Sequence, residues 1–241
     1  MDRNAIKRKS ILRRMNKQKL LNIQAMMFDL DGTLIDSIPT YFDLMESILK
    51  IVGLPPAPKE RVAEFMTAGL EALEKMIPEE MMDRKDELIQ ECITVGRKIS
   101  WNMFNDKVAL FEGVGELFSL LAERNILIGV VTTTQRHVIE RKLAPLARNN
   151  VKDALDVVIA VEDAPQRKPA PDPLIECARQ LVVQPGKCVY VGDSHVDIQA
   201  GNAAGMMTIG VLTGLDGRET LEKEKPSVIL ESVGEIRGLF E

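Results

Sequence analysis

Apolar and polar positions alternate along this chain in two distinct rhythms. From Gly113 onward, short apolar runs alternate with amphipathic stretches. The pattern predicts a helix through Leu121, a strand over Ile126–Val131, and a helix over Arg136–Leu146. It continues with a strand over Asp156–Ala160, a helix over Asp172–Leu181 and a strand over Cys188–Gly192. A helix over His195–Ala204 and a strand over Thr208–Val211 complete it. With a first strand near Ala25–Phe28, this alternation implies parallel βαβ units in a doubly wound α/β sheet.

The second rhythm lies between Ser37 and Val108 and is helical throughout. Ile38, Phe42, Met45 and Leu49 recur at three- and four-residue steps, and Gly53 stops the run. Pro55, Pro56 and Pro58 mark a connection, and Val62, Phe65 and Met66 suggest a second helix. A long run from Glu79 to Lys107 puts Leu88, Cys92, Val95, Ile99 and Met103 on one stripe, with Gly96 as a local weak point. The expected organisation is a basic extension over 1–22, a core over 23–37 and 109–241, and an inserted all-helical domain over 38–108.

Candidate chemistry gathers where the apolar strands end. The run MMFDLDGTLIDS, Met26 to Ser37, finishes in Asp29 and Asp31, and Gly32 turns the chain immediately after. In an extended segment, residues i and i+2 face the same side, so both carboxylates would point into one site. Carboxylates this close repel unless a cation or a shared proton holds them. The arrangement suits a magnesium-assisted nucleophile with an acid/base beside it. A plain strand-to-turn corner is the other reading of this segment alone. A calcium loop is excluded, because Thr33, Leu34 and Ile35 do not supply the alternating oxygen ligands it needs.

Three later strand ends carry further polar groups. ILIGVVTTT ends in hydroxyls suited to phosphate, including Thr132 and Thr133. RKPAPDP places Lys168 in a proline-stiffened loop, with Asp172 expected as a helix N-cap and Pro173 as the first helical residue. YVGDSHVD follows a strand with Asp193, Ser194 and Asp197. Ligands of open parallel sheets bind at these carboxyl ends.

Taken together, DLDGTLIDS, Thr132 after its apolar strand, Lys168 within KPAPDP, and GDSHVD resemble the four ordered motifs of the haloacid dehalogenase-like hydrolase superfamily. The resemblance is greatest to the branch of phosphoglycolate phosphatases and similar small-molecule phosphatases. It implies that Asp29 is the nucleophile and Asp31 the acid/base, and that Lys168, Thr132 and Thr133 meet the phosphate. It also implies that Mg2+ is held by Asp29, Asp193 and the main-chain carbonyl of Asp31. Many phosphatases of this branch carry Asn where Thr133 stands. The helical insert resembles the family's cap, and the expected substrate is a small phosphorylated metabolite.

Other activities of the superfamily fit the residues less well. Asp31 argues against a dehalogenase, which needs no acid/base there. A sugar-phosphate mutase is expected to use a cap histidine, but His137 and His195 both lie outside the insert and are read as structural or solvent-facing. A phosphonatase would need a Schiff-base lysine in the cap, for which Lys50, Lys59 and Lys75 are available. A binding protein on a retired hydrolase scaffold is disfavoured by the intact set Asp29, Asp31, Lys168 and Asp193.

Composition narrows the setting. At 241 residues with 45% hydrophobic content, the chain can bury a substantial core, and no apolar run approaches a membrane span. Aromatic content of 4% argues against base stacking with a nucleic acid. Cys92, Cys177 and Cys188 are scattered and read as reduced thiols of a cytoplasmic protein. The net charge of -5 is uneven: residues 1–22 hold eight Lys or Arg against one Asp, an excess of +7 that leaves the remainder at -12. That tail reads as a solvated extension dispensable for catalysis, with a targeting peptide or an anionic-surface helix as the other readings. The oligomeric state is left open.

Overall fold

The computed structural model describes residues 22–68 and 70–241, so the basic extension up to residue 21 and its alternative readings lie outside the described residues. The chain forms two compact units, one of Ser37–Val108 and one of the segment ending at Asp36 together with Ala109–Glu241.

Along the chain, β1 (Ala25–Phe28) and β2 (Ile35–Asp36) are followed by helices α1 (Ile38–Val52), α2 (Lys59–Ala68), α3 (Leu70–Glu74) and α4 (Lys85–Lys107). Next come β3 (Ala109–Leu110), α5 (Val114–Glu123), β4 (Leu127–Val131), α6 (Ile139–Lys142), α7 (Ala144–Arg148) and β5 (Val157–Ile159). The chain ends with α8 (Asp172–Gln180), β6 (Cys188–Gly192), α9 (His195–Ala203), β7 (Met207–Val211), α10 (Arg218–Lys223) and β8 (Val228–Leu230).

Six strands make one parallel sheet in the order β5-β4-β1-β6-β7-β8. Strand β1, AMMF, is buried at all four positions, as expected for a central parallel strand covered on both faces. The chain winds outward from β1 through β4 to β5, then returns to β1's other edge with β6. That reversal beside β1 is where open α/β sheets leave a crevice. The register fixes what stands there. Phe28 pairs with both Val130 and Val191, so Asp29, Val131 and Gly192 leave their strands side by side. The antiparallel pair β2–β3 brings the chain's departure from this unit next to its return.

One core cluster joins Met27, Val131, Ile159, Leu174, Cys177 and Tyr190 across the sheet. In the helical unit, α1 and α4 pack along each other, burying Leu44, Met45, Ile48, Leu49, Leu88 and Cys92 among others. Helix α4 runs unbroken through Gly96, where a Cβ would approach Ile48 Cδ1 to 3.1 Å. The residue expected to weaken the helix is a close-packing point. All three cysteines are free and buried, and no helix among the described residues is long and apolar enough to cross a membrane.

Several elements differ from expectation. The helix expected over Arg136–Leu146 is a 3-10 turn (Arg136–Val138) followed by α6 and α7. Pro145 has no N–H to donate to the preceding turn, so one helix closes with Leu143 N–H on Ile139 O, 2.9 Å, and another starts. Asp172 is the first helical residue of α8 and Pro171 is the N-cap, whose carbonyl accepts from Leu174 and Ile175. Pro173 still lies in the first turn, where a missing N–H costs nothing. The run expected from Glu79 begins as a 3-10 segment before α4, and α3, α10 and β8 were not foreseen.

Candidate active site

Lys168 organises the crevice. Its Nζ donates to Asp29 Oδ1 at 2.6 Å and Asp197 Oδ1 at 2.7 Å, and its third N–H is shared between the Tyr190 hydroxyl at 2.9 Å and Val131 O at 3.2 Å. The side chain is buried, and the Lys168–Pro169 peptide is cis. Burial opposes its charge, yet the carboxylates of Asp197 and Asp29 hold its ammonium well above the usual lysine range.

Around this ammonium, Asp29, Asp193 and Asp197 are buried and offer one oxygen each within 4.8 Å of one another. Burial pushes the Asp29 carboxyl up from 3.8 to about 7; Lys168 lowers it, while the charges of Asp197 and Asp31 raise it further. Asp193 is likewise driven well above the carboxylate range by burial, then by the charges of Asp197 and Asp29.

Asp193 is fixed from several sides. Thr33 Oγ1 donates to its Oδ1 at 3.0 Å and Leu215 N–H to its Oδ2 at 2.8 Å. The loop after β7 also gives the Asp216 N–H to Asp193 O at 3.2 Å, and the Thr213 hydroxyl to Gly32 O at 2.6 Å. Two glycines admit this closeness. Gly32 adopts φ +82°, and a Cβ there would meet Asp193 Oδ2 at 2.6 Å; at Gly214 the Cβ would lie 1.8 Å from the same oxygen. Gly214→Ala is therefore expected to lower stability by about 1–3 kcal/mol through overpacking. Gly186→Ala, where a Cβ meets nothing within 4 Å, should be near neutral; urea unfolding of both variants checks the contrast.

Asp197, at the third position of α9, accepts from Ser194 N–H at 3.2 Å and Ser194 Oγ at 2.5 Å, so Ser194 serves the helix start. Its other oxygen takes Lys168 and the Tyr190 hydroxyl at 3.1 Å. His195 pairs through Nδ1 with Asp216 Oδ2 at 2.7 Å and is partly exposed.

Asp31 stands apart from the three clustered carboxylates. Its Oδ1 accepts from Lys142 Nζ at 2.7 Å, and Thr134 Oγ1 lies 3.5 Å from its Oδ2. Thr132 is buried and its hydroxyl accepts from Thr134 N–H at 3.1 Å. Thr133 is half-buried and makes no side-chain hydrogen bond to a described residue. The structure thus brings Asp29, Lys168 and Asp193 together, with Asp31 and Thr132 on adjoining strand ends.

Lys142, Tyr190, Thr33 and Thr134 were not foreseen. Lys142 had a signal: it falls on the same helical face as Ile139, Leu143 and Leu146, a lone charge among inward positions.

Hard oxygen donors in this number fit a divalent magnesium-type ion. The fit is electrostatic as well: Lys142 pairs with Asp31 and Lys168 with Asp29 and Asp197, while burial and then the neighbouring carboxylates raise Asp29 and Asp193.

A sequence model described as haloacid dehalogenase-like hydrolase matches residues 26–211. The chain belongs to that family. Within it, the hydrolase falls in the phosphoglycolate phosphatase-like branch. It is 30% identical to the phosphoglycolate phosphatase of Salmonella choleraesuis strain SC-B67 over 238 residues, covering 90% of this chain and 92% of that one. It is 29% identical to the Escherichia coli K12 enzyme of the same name, with the same coverage. A crystal structure of a predicted phosphoglycolate phosphatase from Haemophilus somnus 129PT superimposes with a TM-score of 0.79 at 21% identity, covering 91% of this chain and 99% of that one. At that identity the superposition speaks for the fold of the hydrolase.

Proposed function

We propose that this phosphatase is a magnesium-dependent phosphomonoester hydrolase acting on a small phosphorylated metabolite through an aspartyl-phosphate. The observation that carries the reading is the Asp29, Asp193 and Asp197 cluster around Lys168, at the carboxyl ends of adjoining strands. The names of its relatives make phosphoglycolate the first substrate to test.

Asp29 attacks phosphorus, forming a bond from its carboxylate oxygen as the ester oxygen departs. Its Oδ2 has no hydrogen-bond partner among the described residues, while Oδ1 is held by Lys168. Asp31 protonates the departing alkoxide, then takes a proton from the water that hydrolyses the aspartyl-phosphate. Thr132 and Thr133 supply hydroxyls to the phosphoryl oxygens, and Lys168 fixes the nucleophile while adding a permanent positive charge. Asp29, Asp193 and the Asp31 carbonyl would hold Mg2+, which when bound neutralises charge on the phosphoryl group. Asp197 anchors Lys168 and the start of α9. We assign the helical unit, inserted directly after the loop of Asp29 and Asp31, to the choice of leaving group.

Inorganic phosphate release from phosphoglycolate, an aryl phosphate and a panel of metabolites tests this. Release is expected with magnesium, to be lost on chelation and restored on adding the ion back. Equal release in chelator would overturn the metal assignment.

A further inference from the structure

We propose that Lys142 is a positioning residue for the acid/base step, holding Asp31 so that a single carboxylate oxygen handles the proton. The inference rests on the proposed role of Asp31.

A buried ammonium is costly unless paired, and this one is spent outside the phosphate-facing cluster. Lys142 is 9% exposed and comes from α6, whereas Lys168 comes from the loop before α8. Its Nζ lies 2.7 Å from Asp31 Oδ1, whereas Lys168 engages Asp29 and Asp197. The site therefore holds two separate pairings, one ammonium for the attacking carboxylate and one for its neighbour two residues on. The Asp31 Oδ2 side faces Thr134 Oγ1 at 3.5 Å, and that hydroxyl is itself within 3.1 Å of Thr132 Oγ1.

An aspartate side chain turns freely unless held, and proton transfer to a leaving oxygen requires hydrogen-bond reach in one orientation. With Oδ1 occupied by Lys142, the proton resides on Oδ2 in the acid form. It passes to the ester oxygen as the P–O bond breaks, and the hydrolytic water returns a proton to Oδ2. Lys142 exchanges no proton; it fixes which oxygen does.

The test measures steady-state kinetics of Lys142→Met, Lys142→Gln, Asp31→Asn and the double variant Asp31→Asn/Lys142→Met. Each is assayed on an alkyl phosphate and on an activated aryl phosphate with magnesium present. Activated leaving groups need little protonation. Lys142→Met and Lys142→Gln are expected to lose about tenfold or more in turnover on the alkyl substrate and less than about threefold on the aryl one, with KM little changed. In the Asp31→Asn background, adding Lys142→Met should cost nothing further, because the residue it positions is already disabled. Should Lys142→Met fail to fold, Lys142→Gln and the double variant, which leaves no charge unpaired, carry the test. Equal losses on both substrates, a raised KM, or an additional loss in the double variant would overturn the proposal in favour of direct phosphate contact or general packing. If Asp31→Asn itself loses equally on both substrates, the acid/base reading of Asp31 fails and this inference falls with it.

Discussion

Asp29→Asn is expected to keep the fold and to reduce phosphate release on the order of 10⁴-fold or more, the scale seen when a covalent nucleophile is removed. The amide matches the carboxylate in shape and can still meet Lys168, but it cannot bond to phosphorus productively. A second readout separates this from misfolding. In the metal-free protein, burial raises the Asp29 carboxyl from 3.8 to about 7. A raised folded-state value favours the protonated form, so its contribution is fully present at low pH and fades as pH climbs from about 4 through about 7. An asparagine has no such proton to lose. Melting the two proteins in chelator at about pH 5 and about pH 8 should therefore show a smaller loss across the range for Asp29→Asn. Turnover surviving in a well-folded Asp29→Asn protein would remove the covalent mechanism.

The strand-end logic that exposes Asp29 was readable because the pattern there is local. β1 is four apolar residues, the aspartates sit at i and i+2 just beyond it, and Gly32 follows. Cys188–Gly192 was likewise recovered to the residue, because an apolar strand closing on Gly-Asp leaves little choice. Short elements at the margin of the sheet were harder. β8 is a three-residue edge strand with one pairing partner, and α10 is a six-residue helix burying only Leu221. Neither length carries a resolvable period.

Candidate site residues divide along the same line. Asp29, Asp31, Thr132, Lys168 and Asp193 lie directly at strand ends or in a proline-marked loop, so residue type and place coincide. Thr33 and Leu215 reach Asp193 from segments separated by most of the core, a meeting that only the sheet order creates. Tyr190 reads as a core aromatic at the centre of β6; its hydroxyl joins the site because Lys168 enters from a different loop. Lys142 was legible in principle as a lone charge on the apolar face that a continuous helical period gives Ile139, Leu143 and Leu146.

Lys168→Met is expected to cost both stability and catalysis, and the stability loss should be the larger surprise for a single surface-to-volume-neutral change. Four groups converge on this ammonium: two carboxylates, a phenol and a main-chain carbonyl. A methionine fills a similar volume but leaves Asp29 and Asp197 buried without their counter-charge. Breaking a buried pair from one side typically costs about 3–5 kcal/mol. In a protein of this size each kcal/mol lowers Tm by about 2–4 °C, so a drop of roughly 6–20 °C is expected in chelator. Magnesium should recover part of it, since a cation among the carboxylates replaces some of the lost charge. Turnover is expected to fall by about 10²–10³-fold even with saturating magnesium, the usual loss on removing a preorganised electrostatic group. Lys168→Arg should rescue little, because a planar guanidinium cannot direct donors to four groups surrounding one nitrogen. Differential scanning fluorimetry with and without the metal, paired with phosphate-release kinetics, checks each part. A variant that melts like the wild type would mean that Asp29 and Asp197 do not depend on this lysine, and the organisation of the crevice around Lys168 would have to be abandoned.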